Sequence, residues 1–285
     1  MMKVLPQANG WEKRNMDLWF STLSAPKNLS SDALWSLQTD GFTVIDGPIP
    51  QQKIADLAGS YDRAIEAASN EDVKVGSTTT RISDFVNRGA EFDELYVYPP
   101  LLEAACHVIK QPFKLSTLHA RTVRPNVPAQ RLHVDFAGDS QGWPMLGFIL
   151  MIDEFTADNG ATCFIPRSQG VGRRASWETL LPACGQAGSV ILFNGSILHG
   201  HGANMTNQAR RSVQGAYIRR SEESGANLPA RMLPETLNRI GPLAKYLLTV
   251  WSYVLFSARG QQLHGQATAR PACYEILKHD SAFSH

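Results

Sequence analysis

The sequence predicts a mainly β domain, a barrel or sandwich clad in helices, and three observations carry that prediction. From about residue 113 onward the chain breaks into short segments (FKLSTLHARTVRP, RLHVDF, MLGFILMIDEF, ATCFIP, GSVILFN and VQGAYIRR), each apolar or alternating and each bounded by Gly, Pro, Asn or Asp. Such segments read as strands with turns between them. On either side the apolar residues recur at helical spacing instead. No repeat, low-complexity tract or linker interrupts the 285 residues, so a single domain is expected over 1–285. Strands in the middle and helices at both ends place the helices outside a β core.

In chain order, residues 1 to 30 read as an irregular lead-in. Ser30, Ser31 and Asp32 supply capping oxygens ahead of Ala33-Leu34-Trp35, a helix start. GFTVIDG, 41 to 47, alternates between bounding glycines and reads as a strand. Ile54, Leu57, Tyr61 and Ile65 then recur on one helical face. Another helix is expected over 99–111 and brings His107 with it. After the strands, 230–285 reads as a helical extension, and its apolar run KYLLTVWSYVLFSA (245–258) is too short for a membrane span and reads as a buried or interfacial helix.

The charge balance, 27 basic against 26 acidic residues, supports neither a nucleic-acid face nor an acidic tail. Arg173-Arg174 and Arg219-Arg220 are too short to alter that. Cys106, Cys163, Cys184 and Cys273 show neither CxxC nor disulfide spacing, which suits a reducing compartment. The opening MMKVLPQANGWEKRN lacks the apolar stretch of a signal peptide. A cytoplasmic protein acting on a small molecule, with no nucleic-acid or membrane partner, is the expectation. GVGRRA (170–175) fits a dinucleotide fingerprint on paper, but no strand feeds it and no βαβ unit surrounds it, so it reads as a loop.

The chemistry is expected at RLHVDF. Residues two apart on a strand share a face, so His133 and Asp135 would converge on one point. Two imidazoles and a carboxylate with open positions are the ligand set of non-haem Fe(II) oxygenases. A second histidine must then come from a distant segment. Of the eight histidines, His264, His279 and His285 read as C-terminal surface residues, His107 as a helix residue, and His119 as a weak candidate. His199 and His201, where the strand VILFN runs into a glycine-rich loop, are left as the two possibilities. The same three ligands would equally suit zinc and hydrolysis, or a barrel that binds without catalysis.

RLHVDF, DNGATCFIPRSQG and SILHGHGANMTNQARR together resemble the successive signatures of the phytanoyl-CoA dioxygenase (PhyH) family of Fe(II)/2-oxoglutarate oxygenases. The opening LQTDGFTVIDGPIPQQKIADL is similar to that family's opening strand and helix, so the resemblance spans roughly 33–220. It implies a double-stranded β-helix, a jelly-roll or cupin-like barrel. It implies His133, Asp135 and His199 as iron ligands, with Arg210, eleven residues after His199, pairing with the far carboxylate of the co-substrate 2-oxoglutarate. A guanidinium fork suits a carboxylate bidentately, whereas a hydrolase needs no buried arginine there. Gln130 and Thr162 match positions that contact the co-substrate. Arg211, the neighbour of Arg210, is expected to face the other way. The implied reaction consumes O₂ and 2-oxoglutarate, releases succinate and CO₂, and oxidises an unactivated C–H bond. Because Asp135 is present where related halogenases carry a small residue, hydroxylation, desaturation or epoxidation is favoured over halogenation. Two departures stand out: His201 occupies a position where relatives often carry Ser or Ala, and Arg167 and Gln169 replace the usual glycine and histidine of the turn after Ile165-Pro166. Trp143 is placed at the mouth or on the rim of the barrel, and Arg81 in a carboxylate contact or a surface ion pair. A small, fairly apolar metabolite is the expected substrate.

Overall fold

A seven-stranded antiparallel sheet and a three-stranded sheet face each other, and helices cover the outside of the larger one. The structure is a computed structural model, and it describes residues 10–25, 27–170 and 180–250. The larger sheet is ordered β1 (Phe42–Ile45), β8 (Val190–Asn194), β5 (Met145–Met151), β10 (Arg210–Arg219), β4 (Phe113–Val123), β3 (Thr79–Ile82), β2 (Val73–Val75). The smaller is ordered β7 (Leu181–Pro182), β6 (Thr162–Phe164), β9 (His199–His201). This is the double-stranded β-helix.

Apart from Gly147 and Asn194, strands β5 and β8 carry only apolar residues, because both of their faces are covered. On β8, Val190 and Leu192 join the core beneath the helices, while Ile191 and Phe193 point into the lumen between the sheets. On β5, Leu146, Phe148 and Leu150 face the helices, and Ile149 and Met151 face the lumen. Period-two alternation is therefore present, but both phases are apolar.

Two glycines make this stacking possible. Gly147 lies opposite Phe193, and a Cβ added there would meet the Phe193 ring at 2.1 Å. Gly215 lies opposite Phe148 on the other face, with the corresponding distance 2.2 Å. Gly147→Ala is expected to lower stability by roughly 1–3 kcal/mol, the usual cost of overpacking. Chemical denaturation measures it, and an unchanged midpoint would show that Phe193 moves aside freely.

Helix α2 (Ser31–Thr39) begins where expected, with the Ser30 hydroxyl accepting from the Ala33 amide at 3.1 Å. Helices α3 (Ile54–Glu66) and α4 (Pro99–Ile109) also follow the sequence pattern, and Lys110 ends α4 at φ 57°. Leu101, Leu102, Ala104, Ala105, Val108 and Ile109 of α4 are all buried against the sheet.

Three expectations need correction. The lead-in is not irregular throughout: α1 (Gly10–Ser24) is a helix packed on α4. Trp19 stacks on Tyr246 at 5.1 Å and Phe20 meets Phe113 edge-on, so this helix is fixed by tertiary contacts rather than by propensity. The chain after it is tied down by the buried Glu103 carboxylate, which accepts the amides of Asn28 and Leu29. Second, 245–258 is not one helix. After α5 (Leu228–Arg231) and α6 (Pro234–Arg239), α7 (Pro242–Leu247) stops because Thr249 turns left-handed at φ 58° and the Val250 amide reaches back to the Lys245 carbonyl, a Schellman-type close. Third, RLHVDF is not a strand, as described below. The run beyond residue 250, with Cys273, His264, His279 and His285, and the GVGRRA loop beyond Gly170 lie outside the described residues. Among the described residues no helix is long and apolar enough to cross a membrane.

Candidate metal centre

Residues 131–136 run extended but pair at one point only. His133 exchanges both backbone hydrogen bonds with His199, each 3.0 Å. The amides of Asp135 and Phe136 then both donate to the Gly195 carbonyl, at 2.9 and 3.1 Å. Two donors on one acceptor bend the chain and end the pairing, so no strand forms. The expected convergence survives nonetheless, because the bridge sets His133 beside His199 and the bend turns Asp135 back between them. The segment expected to be a loop after Ile197 is the opposite surprise: His199–His201 form strand β9, paired with β6.

The Nε2 atoms of His133 and His199 each lie 3.5 Å from one oxygen of the Asp135 carboxylate, and the two rings are 4.6 Å apart. One donor atom from each residue falls within 4.8 Å of the other two. Donors next to each other around one divalent ion are separated by about 3 Å, so this cluster could take one with little adjustment. Both imidazoles are oriented by backbone: Nδ1 of His133 faces the Arg131 carbonyl at 3.2 Å, and Nδ1 of His199 faces the Ile197 carbonyl at 2.9 Å. A carbonyl can only accept, so the proton sits on Nδ1 and the Nε2 lone pairs face inward. Burial alone would raise the Asp135 carboxyl, but His133 and His199 in their protonated form, each with an Nε2–H facing it, hold it well below the usual carboxylate range; a metal ion would take the place of those protons. The His199 ring is clamped between Phe164 at 5.6 Å and Phe193 at 4.8 Å, which links the ligand to the packing at Gly147.

Arg210 lies on the lumen face of β10 at 1% exposure. Its Nη2 donates to the Gly160 carbonyl at 2.7 Å, its Nη1 to the Ser212 hydroxyl at 3.3 Å, and its guanidinium lies 4.0 Å over the Phe155 ring. Its Nε has no partner, and no carboxylate pairs with it among the described residues. Burial first, then the charge of Arg121, pushes its pKa down to about 9. Arg211, one residue on, points outward as expected, gripping Asp153 at 2.6 Å and Asp62 at 2.7 Å.

Thr162, 4% exposed, lies on β6 opposite His201 and two residues from Phe164, hence on the same lumen face. The Gln130 Oε1 accepts from Arg121 Nη2 at 2.7 Å, and the Gln130 amide donates to the His201 carbonyl at 2.9 Å. Arg121 was not anticipated from the sequence. The signal was the alternation of LHARTV on β4, which sends His119 and Arg121 to one face.

His201 is 3% exposed: its Nδ1 meets the Gly202 carbonyl at 2.7 Å and its Nε2 the Thr78 hydroxyl at 2.8 Å, so it anchors the β2–β3 turn. Asn204 is buried and ties together the carbonyls of Arg124 and Gln208 and the Thr206 amide, the structural purpose of the asparagine in HGHGANMT. Arg167 sits at φ 65°, a conformation natural to the glycine it replaces, held there by Asp40 at 3.0 Å. Trp143 is half-buried and packs against the core beneath the helices. Arg81 lies across from Arg121, exposed and without an ion pair among the described residues, so the expected surface salt bridge is not there.

His119 is half-buried in the lumen wall, with its Nε2 shielded from solvent and without a partner among the described residues. Burial, then the charges of Arg81 and Arg121, push its pKa down to about 3. The unfolded chain takes up a proton near pH 6.5 that the folded protein refuses until about pH 3. Stability from this group is therefore complete above pH 6.5 and falls as pH drops below it, by up to about 1.4 kcal/mol per pH unit. His119→Gln is expected to flatten the fall in unfolding free energy between pH 6 and 5; an unaltered slope would mean the imidazole protonates in the folded state.

A double-stranded β-helix carrying two histidines and one carboxylate at the open side of its smaller sheet is the scaffold of the facial-triad metal proteins. The model of the phytanoyl-CoA dioxygenase (PhyH) family matches residues 37–212, more than half of the chain, and the chain belongs to that family. The multifunctional dioxygenase prhA of Penicillium brasilianum is 29% identical over 225 residues, covering 68% of this chain and 74% of that protein. Among solved structures, HygX from Streptomyces hygroscopicus, with nickel, 2-oxoglutarate and hygromycin B bound, superposes with a TM-score of 0.56 at 16% identity over 69% of this chain and 90% of its own. The α-ketoglutarate-dependent epimerase SnoN from nogalamycin biosynthesis gives 0.57 at 18% identity over 66% and 81%.

Proposed function

We propose that the protein is an Fe(II)- and 2-oxoglutarate-dependent dioxygenase that oxidises an unactivated C–H bond of a small molecule, with hydroxylation as the outcome and release of succinate and CO₂. The observation that carries this reading is Arg210. A fully buried guanidinium with no carboxylate beside it is costly unless a ligand supplies the anion, and it shares the lumen with the His133–Asp135–His199 cluster. In this reading those three residues hold the iron, and Arg210 and Thr162 bind the far carboxylate of 2-oxoglutarate. Gln130 donates to the end nearer the metal. When bound, iron and co-substrate supply the oxidising chemistry.

The chain's own contribution is position and dryness. The backbone carbonyls behind His133 and His199 fix the orientation of both rings, so that each Nε2 faces the point where the metal would sit. Phe155, Phe164 and Phe193 exclude water behind the cluster. The dioxygenase relative prhA supports the reaction class, and HygX shows that this fold accommodates 2-oxoglutarate beside a metal. SnoN, an epimerase, indicates that the fate of the substrate is set outside the metal cluster, so desaturation and epoxidation are the alternative outcomes of the same site. The free thiols Cys106, Cys163 and Cys184 support a reducing, cytoplasmic setting.

The test is aerobic incubation of the purified protein with 2-oxoglutarate and either Fe(II) or Zn(II). Succinate is expected with Fe(II) alone. Absence of succinate together with absence of metal-dependent 2-oxoglutarate binding would sink the proposal, and zinc-supported hydrolysis would replace it.

A further inference from the structure

Gln130 presents a question of orientation. Its side-chain amide has an acceptor end and a donor end, and a carboxylate-binding role requires the donor end to face the ligand. Arg121 decides which way it points. The guanidinium carries donors only, so the atom 2.7 Å from Arg121 Nη2 must be the amide oxygen. The His201 backbone amide reaches the same oxygen at 3.4 Å. Oε1 thus receives two donors, and Nε2 is left on the other side with no partner among the described residues.

Arg121 is itself firmly held. It is 8% exposed, its Nη1 donates to Gln214 at 3.4 Å, and its backbone carbonyl accepts the Ser212 hydroxyl at 3.0 Å. Ser212 also accepts from Arg210, so the two lumen arginines are fixed through one hydroxyl on paired strands. Among the described residues, Asp135 is the carboxylate whose charge bears on Arg121.

We propose that Arg121 is a positioning residue for the co-substrate: it locks the flip of Gln130 so that Nε2 is presented as a donor to the carboxylate of 2-oxoglutarate nearer the metal. This rests on the dioxygenase reading above and adds a residue outside the PhyH signatures to its machinery. Without Arg121, the amide can rotate and set its oxygen against the incoming anion, where it repels instead of binding.

The test is a double-mutant cycle read by calorimetric titration of 2-oxoglutarate into the anaerobic, Mn(II)-loaded full chain. Gln130→Ala and Arg121→Met are each expected to weaken binding by about tenfold, the scale of one hydrogen bond to a charged group. The double variant is expected to be no weaker than Gln130→Ala, because Arg121 acts through Gln130. Arg121→Lys, which keeps a donor, is expected to recover most of the affinity. Losses that multiply to about a hundredfold in the double variant would overturn the proposal, since Arg121 would then meet the co-substrate by itself. So would an Arg121→Met protein that binds like the wild type.

Should Arg121→Met fail to fold, Gln130→Glu asks the same question with Arg121 in place. One carboxylate oxygen would take the Arg121 bond and the other would face the ligand with no donor, so a loss larger than that of Gln130→Ala is expected. Wild-type affinity in Gln130→Glu would overturn the orientation argument. Failure of the wild type itself to bind 2-oxoglutarate would instead remove the underlying reading.

Discussion

His199→Ala is expected to abolish 2-oxoglutarate turnover and to weaken metal binding by more than about 100-fold, since loss of a ligand exceeds the 10–100-fold cost of losing a group that merely orients one. The fold should survive. His199 is tied into β9 by backbone bonds to His133 and by its pairing with Phe164, and neither needs the imidazole. The ring does fill space between Phe164 and Phe193, so a drop in melting temperature of a few degrees is expected from the cavity. His201→Ala separates the two candidate histidines. It loses the Thr78 contact and should loosen the β2–β3 turn, yet it should retain metal, because His201 Nε2 is engaged by Thr78 rather than by the cluster. Metal titration followed by succinate assay measures both. Retained turnover in His199→Ala, or loss of metal in His201→Ala alone, would reverse the assignment.

Arg210→Met is expected to separate function from stability. The methionine matches the arginine's apolar stem and keeps packing on Phe155, but it carries no charge. Affinity for 2-oxoglutarate should fall by about two orders of magnitude, because a charge-assisted bidentate contact is lost in a buried setting. The unliganded protein should melt no lower than the wild type. Its buried cation has no carboxylate beside it, and burial already opposes the charged form strongly enough to bring the group down to about 9. What is lost in exchange is the hydrogen bond to the Gly160 carbonyl. Saturating co-substrate provides the second readout: at 100 times its dissociation constant, a ligand stabilises the wild type by about 2.7 kcal/mol, and the same concentration should stabilise Arg210→Met by only about 0.4 kcal/mol. A variant that melts far lower without ligand would show that Arg210 is a structural residue, and one stabilised by 2-oxoglutarate as much as the wild type would show that the anchor lies elsewhere.

The His199 and Arg210 outcomes test residues that the resemblance of the motifs RLHVDF and SILHGHGANMTNQARR to the PhyH signatures singles out. Much of the helical cladding was legible too: α3 buries Leu57, Tyr61 and Ala64 on one face, α2 opens on a capping serine, and α4 is an apolar run buried almost all round. Helix α1 was missed for the opposite reason: its anchoring contacts, Trp19 on Tyr246 and Phe20 on Phe113, are more than 90 residues away along the chain. The helix expected over 245–258 failed because a left-handed Thr249 is a local conformation that hydropathy does not report.

At the metal centre, the sequence by itself determined the inventory: one imidazole and one carboxylate two residues apart, a second imidazole beyond a strand, and an arginine eleven residues later. Spacing survives folding, so those identities could be read from the chain. Only the tertiary structure decided how they meet. A single backbone bridge between His133 and His199, and not a strand, brings the donors together. His201 is consumed by Thr78. Arg121, drawn from another strand, holds the oxygen of Gln130. The first two are contacts between residues 66 and 123 positions apart, and the third joins a strand to the loop nine residues beyond it; the partners are chosen by the register of the sheets, and register is a property of the packed whole that no local pattern encodes.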